Sequence, residues 1–166
     1  MVSRLLILIT ALCLAACSPP TQDDAAPHTS SGETLRLYAA SNEVRAFANP
    51  VGFRFPEGVS LEQSFDRQSG ALLSDEEAEV VAGSVTVLPP PDAVAACAHV
   101  WRHVFVFYDV EGAPLGALAY CQECGAVIVL GSEDPGVGLD RLGYDGPALD
   151  RIIAAHDLAV EPEYPE

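Results

Sequence analysis

Cys97, Cys121 and Cys124 share one stretch of the chain with His99 and His103. Thiols and imidazoles at this spacing admit three chemistries. The first is a disulfide, most simply Cys97–Cys124, or else Cys121–Cys124 across the turn. One bridge leaves one thiol over. The second is a metal centre, since three thiolates and His103 or His99 make the four ligands of a tetrahedral zinc site. The third is a redox pair at Cys121-Gln122-Glu123-Cys124. A redox Cys-x-x-Cys gains its reactivity at a helix N-terminus, where the dipole lowers the thiol pKa. Here the β-branched run Val127-Ile128-Val129 follows Gly125, which reads as strand and weakens the redox case.

The elements around these residues decide which of them meet. His99 to Asp109 is rich in Val, Phe, Tyr and Trp and reads as a strand. Asp109-Val110-Glu111-Gly112 is a turn, with Gly112 suited to a left-handed position. Leu115–Cys121 returns, Cys121–Gly125 turns again, and Ala126–Leu130 is a third strand. If Val110–Gly112 is the loop, Asp109 pairs with Ala113 and Trp101 faces Cys121. Cys97 then lies level with Gly125. Period-two alternation puts Cys97, His99, Trp101, His103, Phe105 and Phe107 on one face, with Cys121 beside them. A one-residue slip moves Cys121 to the other face. Cys97 and His103 are about 20 Å apart along such a strand, too far for a nucleophile and its base.

Elsewhere, Thr34–Ala39 alternates as a strand does, and Arg45–Phe55 is ambiguous around an Asn49-Pro50 turn. Ser74-Asp75-Glu76-Glu77 is a capping box that starts a helix over Asp75–Gly83. Pro147 suits the first turn of a last helix whose Leu149, Ile152, Ile153 and His156 share a face. Pro89-Pro90-Pro91 marks the start of a new unit. The expected class is α+β: a three-stranded antiparallel meander over about 99–130 with two or three helices packed on it.

Composition narrows the partners. The chain has 166 residues, eight Arg, no Lys and 24 acidic residues, for a net charge of −16. Nothing so acidic replaces the counterions of nucleic acid, or docks electrostatically on anionic lipid. Phosphate-loop, dinucleotide, Gly-x-Ser-x-Gly and His-Glu-x-x-His patterns are all absent from the sequence. The reading leans away from an enzyme and leaves any protein or small-molecule partner open.

The N-terminus does carry an address. Arg4 precedes the short apolar run Leu5–Leu12, and Leu14-Ala15-Ala16-Cys17 ends it. This resembles the lipobox of bacterial lipoproteins. The resemblance implies removal of residues 1–16 and acylation of Cys17 by diacylglycerol and a further chain such as palmitate. It implies a membrane anchor that needs no basic patch. Ser18 after the Cys implies the outer membrane, periplasm-facing, rather than inner-membrane retention. Residues 17–33 hold no bulky apolar side chain and read as a tether. The domain is expected over 34–162, with a tail at 163–166. Losing Arg4 leaves seven Arg against 24 acids, a mature charge of −17.

The motif Cys97-(x)4-Arg102-His103, Phe107-Tyr108-Asp109, Gly112 and Cys121-x-x-Cys124 looks like an uncharacterised group of small exported bacterial proteins. In that group a Leu-Ser/Thr-x-x-Glu helix start precedes the motif, as Leu73–Glu77 does here. Gln122 stands where the group carries Phe. The resemblance implies a shared fold and cysteine cluster but no reaction.

Overall fold

In the computed structural model, residues 30–86, 100–131 and 143–161 are described. Their centre is a five-stranded antiparallel sheet, ordered β2-β1-β4-β5-β6. Its strands are β1 (Glu43–Phe53), β2 (Ala71–Leu72), β4 (Trp101–Tyr108), β5 (Pro114–Cys121) and β6 (Ala126–Gly131). A short pair, β3 (Val85–Thr86) with β7 (Gly143–Tyr144), stands apart from it. The helices are α1 (Ser30–Ala40), α2 (Leu61–Ser64), α3 (Asp75–Gly83) and α4 (Gly146–Ala155). The expected meander is present as β4–β6. The sheet is larger than three strands because β1 pairs with β4 over most of its length and carries β2 on its far edge.

Every residue of β4 is buried, because the sheet is covered on both faces. On one face α1, α3 and α4 bury Ala78, Val81, Leu149 and Ile152 against Phe105, Phe107, Leu118 and Tyr120. On the other, Phe47, Leu61 and Phe65 close over Val104, Val106, Ala119 and Cys121. Phe65 gathers Phe47 and Phe53 at ring-centroid distances of 4.9 and 5.1 Å.

Local signals placed several elements correctly. Ser74 caps α3, and Glu77 reaches back to the Ser74 amide at 2.8 Å. Asp145 caps α4, with Pro147 in its first turn. Gly112 takes φ +84 in the β4–β5 loop. Asp109 N–H donates to the Ala113 carbonyl at 2.9 Å, as the loop arithmetic requires.

Two expectations fail. Thr34–Ala39 is helical rather than extended, and α1 begins at Ser30, inside the stretch read as tether. Thr34 is buried, Leu37 and Tyr38 pack on the core, and Arg36 is exposed. That spacing satisfies a helix as well as a short alternation does. The second failure is register. Tyr108 pairs with Pro114, but Phe107 pairs with Gly116, so Leu115 is an extra residue on β5. This bulge directly follows Pro114, which has no N–H to give the ladder. From there on His103 pairs with Tyr120.

Candidate functional site

The bulge at Leu115 decides the fate of the cysteine constellation. With the ladder shifted by one, Cys121 turns to the face of Val104 and Ala119, while His103 keeps the face of Phe105 and Tyr120. Sharing a face with His103 was the expectation, and the structure puts Cys121 opposite. Trp101 also leaves the alternation: it pairs with Phe53 beyond a break in β1 and packs in the Cys121 cluster. Cys97 and His99 lie outside the described residues, as do Cys17 and the triple proline.

Cys121 is a free thiol with no exposed surface, and its S–H points to a Glu123 carboxylate oxygen at 3.8 Å. Cys124, half-buried three residues on, is not free. The turn between them is closed by Gly125, whose φ of +56 suits glycine. Its N–H donates to the Gln122 carbonyl at 3.4 Å. Tyr144 is packed so close to Gly125 that a Cβ there would meet its hydroxyl at 3.1 Å. Glu123 also takes the guanidinium of Arg102, which is buried in β4 and donates through Nε to the Pro50 carbonyl at 2.9 Å. Arg102 thereby ties the cysteine turn to the irregular end of β1.

On the other face of the same sheet end, Asp150 on α4 is the shared acceptor. Tyr120 donates to it at 3.0 Å and Gln122 at 2.9 Å. The Tyr120 and Tyr144 rings lie 5.2 Å apart. Burial, and then the nearby Asp150 charge, push the Tyr120 hydroxyl well above its ordinary pKa. Burial likewise raises Tyr144. Both phenols therefore stay neutral near neutral pH, and Tyr120 acts as a donor. His103 stacks beside Tyr120 at 6.2 Å between centroids and gives Nε2 to the Leu158 carbonyl at 3.0 Å. Among the described residues, no three His, Cys, Asp or Glu side chains converge as metal ligands would.

At the opposite end of the sheet lies a centre that sequence reading missed. Glu43 accepts from Arg45, and from Arg67 through two bonds, Nε at 2.9 Å and Nη2 at 2.5 Å. Arg45 also donates to the Gly70 carbonyl at 2.7 Å. The Arg67 guanidinium lies 5.5 Å from the centroid of the Tyr108 ring, a cation–π contact. Hydrogen bonding from Arg67, then from Arg45, holds the Glu43 carboxyl down at about 2. Glu43 and Arg45 sit two apart on a strand and so share a face, a signal visible in sequence. Arg67 arrives from 24 residues away, and nothing local announces it. A third feature, a groove of about 490 Å³, runs between the end of α1 and the start of α3, with Asn42 and Leu72 on its walls.

Comparison with protein-family models, curated proteins and solved structures finds no match to this chain.

Proposed function

We propose that the chain is a lipid-anchored lipoprotein of the bacterial cell envelope. Its folded part is a binding or structural domain held on the periplasmic side of the outer membrane, stapled by a Cys97–Cys124 disulfide. The observation that carries the anchor is Leu14-Ala15-Ala16-Cys17 at the end of a short apolar run. Two features favour a structural role for the cysteines. Cys121 is a free thiol sealed in an apolar cluster while Cys124 is engaged. His103, the imidazole nearest Cys121 in sequence, is committed to Leu158 on the other face.

The decisive experiment labels growing cells with an alkyne-bearing palmitate and fractionates their membranes. The parent chain takes up label and sediments with membranes, and Cys17→Ala abolishes both. A Cys17→Ala chain that still labels and sediments overturns the anchor. The staple has its own assay. Unfolded without reductant, the mature protein should show one reactive thiol, rising to three after reduction. Three thiols before reduction overturn the disulfide.

A thiol-based activity is the second reading, favoured by the free Cys121 three residues from Cys124 with the Glu123 carboxylate beside it. It requires Cys121 to react with a small alkylating reagent in the folded protein.

A further inference from the structure

The sheet ends on β2 at one side and on β6 at the other, and its two edges are built differently. An open edge presents unpaired N–H and C=O groups to any other strand, so folded chains blunt it with short strands, prolines, bulges or charge. The β1–β2 side carries the first three devices. β2 is two residues long. Beyond it β1 holds Pro50, shifts register between Ala48 and Phe53, and takes φ +84 at Gly52.

The β6 side carries none of them. Ala126-Val127-Ile128-Val129-Leu130-Gly131 is six residues with no proline and no charge. Its ladder to β5 runs unbroken from Cys121–Ala126 to Gly116–Gly131. An antiparallel ladder uses the N–H and C=O of alternate residues only. The remaining residues of β6 aim theirs outward, and among the described residues no group bonds to them. The side chains are already spoken for: Val127, Ile128 and Leu130 are 1%, 7% and 1% exposed, covered on the two faces of the sheet. What stays open is a line of backbone donors and acceptors.

We propose that this line is a docking edge for an extended, basic segment of another protein, which adds to β6 as a sixth strand. This docking rests on the binding role proposed for the folded domain and not on its lipid anchor. Area and charge choose the occupant. Six residues give ~20 Å of edge. With the β6 side chains already buried, a rigid second copy meeting that line gains far less than the ~1,200 Å² of a stable interface. An extended segment instead follows the edge along its whole length. A chain at −16 also repels its own copy and draws cationic sequence. Glu123, a third exposed in the turn that leads into β6, carries that acidic charge to one end of the edge. The uncharged strand between lets two main chains close together without burying an ion.

The test reads amide exchange along β6 by NMR, in the full chain in non-ionic detergent. The probe is the peptide Lys-Lys-Thr-Val-Thr-Val-Thr-Val-Lys-Lys. Without it, alternate β6 amides should be slow and the outward set fast. With peptide at ten times its Kd, the outward set should slow about tenfold, at every second residue of Ala126–Gly131. Two companion peptides separate the causes. Pro in place of each Val keeps the charge but removes the ladder donors, so the outward amides should stay fast. Glu in place of each Lys should weaken binding about tenfold or more.

A lysine peptide that leaves the outward amides fast overturns the edge. If it binds elsewhere, the binding role survives and only the edge falls; the anchor is judged separately by the palmitate label. Equal binding of the Glu peptide overturns the basic partner. Outward amides already slow in the free chain overturn the docking as well. Sedimentation then assigns the edge, to a second copy if the chain is a dimer and to the chain itself if it is a monomer.

Discussion

Two polar centres sit at opposite ends of one sheet and are built on opposite principles. At the Glu43 end a single carboxylate collects two guanidiniums, and every oxygen is used. At the His103 end one nitrogen is used and the other is buried with no hydrogen-bond partner among the described residues. The first arrangement fixes its carboxylate, because hydrogen bonds from Arg67 and Arg45 hold Glu43 ionised. The second holds its group neutral and makes the fold answer to pH near neutrality. Burial keeps the His103 imidazole below its ordinary value of 6.5, so the stability tied to it is complete above about pH 6.5 and lost as pH falls below that. The difference is one of supply: β1 places Arg45 beside Glu43 and the Arg67–Ser69 turn adds Arg67, whereas the carboxylates near His103 are engaged elsewhere, Glu123 with Arg102 and Asp150 with Tyr120 and Gln122.

Removing the carboxylate should have the largest effect. Glu43→Gln leaves Arg45 and Arg67 facing each other with one neutral acceptor between them. Breaking a sealed pair costs about 3–5 kcal/mol; because Arg67 is a third exposed, about 2–3 kcal/mol is expected here, read by urea denaturation at pH 7. The acid profile should change too. A carboxyl depressed from 4.5 to about 2 gives stability that is complete above 4.5 and lost as pH falls toward 2. The parent should therefore lose stability in two steps, one starting below 6.5 and one below 4.5. The variant should keep the first, and of the second only the part supplied by Glu77, whose carboxyl Ser74 also holds below its ordinary value. A parent with a single acid step would erase the distinction between the two centres.

A smaller effect is expected at the other end. Tyr120→Phe removes one of the two donors to Asp150 and keeps the packed ring. It should cost about 1–1.5 kcal/mol, the usual worth of one such bond. A loss as large as that of Glu43→Gln would mean that the Tyr120–Asp150 bond anchors α4 far more firmly than its geometry implies.

The contrast between the centres also marks what the sequence could tell. Contacts made within a few residues were legible: the Ser74–Glu77 box, Pro147, Asp109 and Gly112 each act on their own turn. Thr34–Ala39 was not, since six residues fit either period and the helix is settled by Leu37 and Tyr38 packing on a core assembled from distant strands. The candidate site turned on Leu115. Loop length alone predicted the pairing of Asp109 with Ala113 correctly, yet one extra residue beyond it carried Cys121 to the opposite face. Alternation reads faces well along one strand and fails across two, because a bulge conserves hydrophobicity while reversing register. Arg67 was invisible for a simpler reason. Its partner is 24 residues away, and its recruitment depends on the close of the β2 hairpin onto β1.

The finest test lies beside the saturated centre. Tyr108 is 2% exposed, its ring under Arg67, and its hydroxyl is buried with no hydrogen-bond partner among the described residues. Burial pushes that phenol up to about 12, so it stays neutral and never competes for Glu43. An unmade bond in the folded state means that the hydroxyl gave up water for nothing. Tyr108→Phe keeps the ring for Arg67 and removes only that debt. Its stability should equal the parent's or exceed it by up to about 1 kcal/mol, measured by thermal melting at pH 7. A fall of more than 1 kcal/mol would reveal a partner for the hydroxyl. The Glu43 end would then be a wider network, with Tyr108 as one of its members.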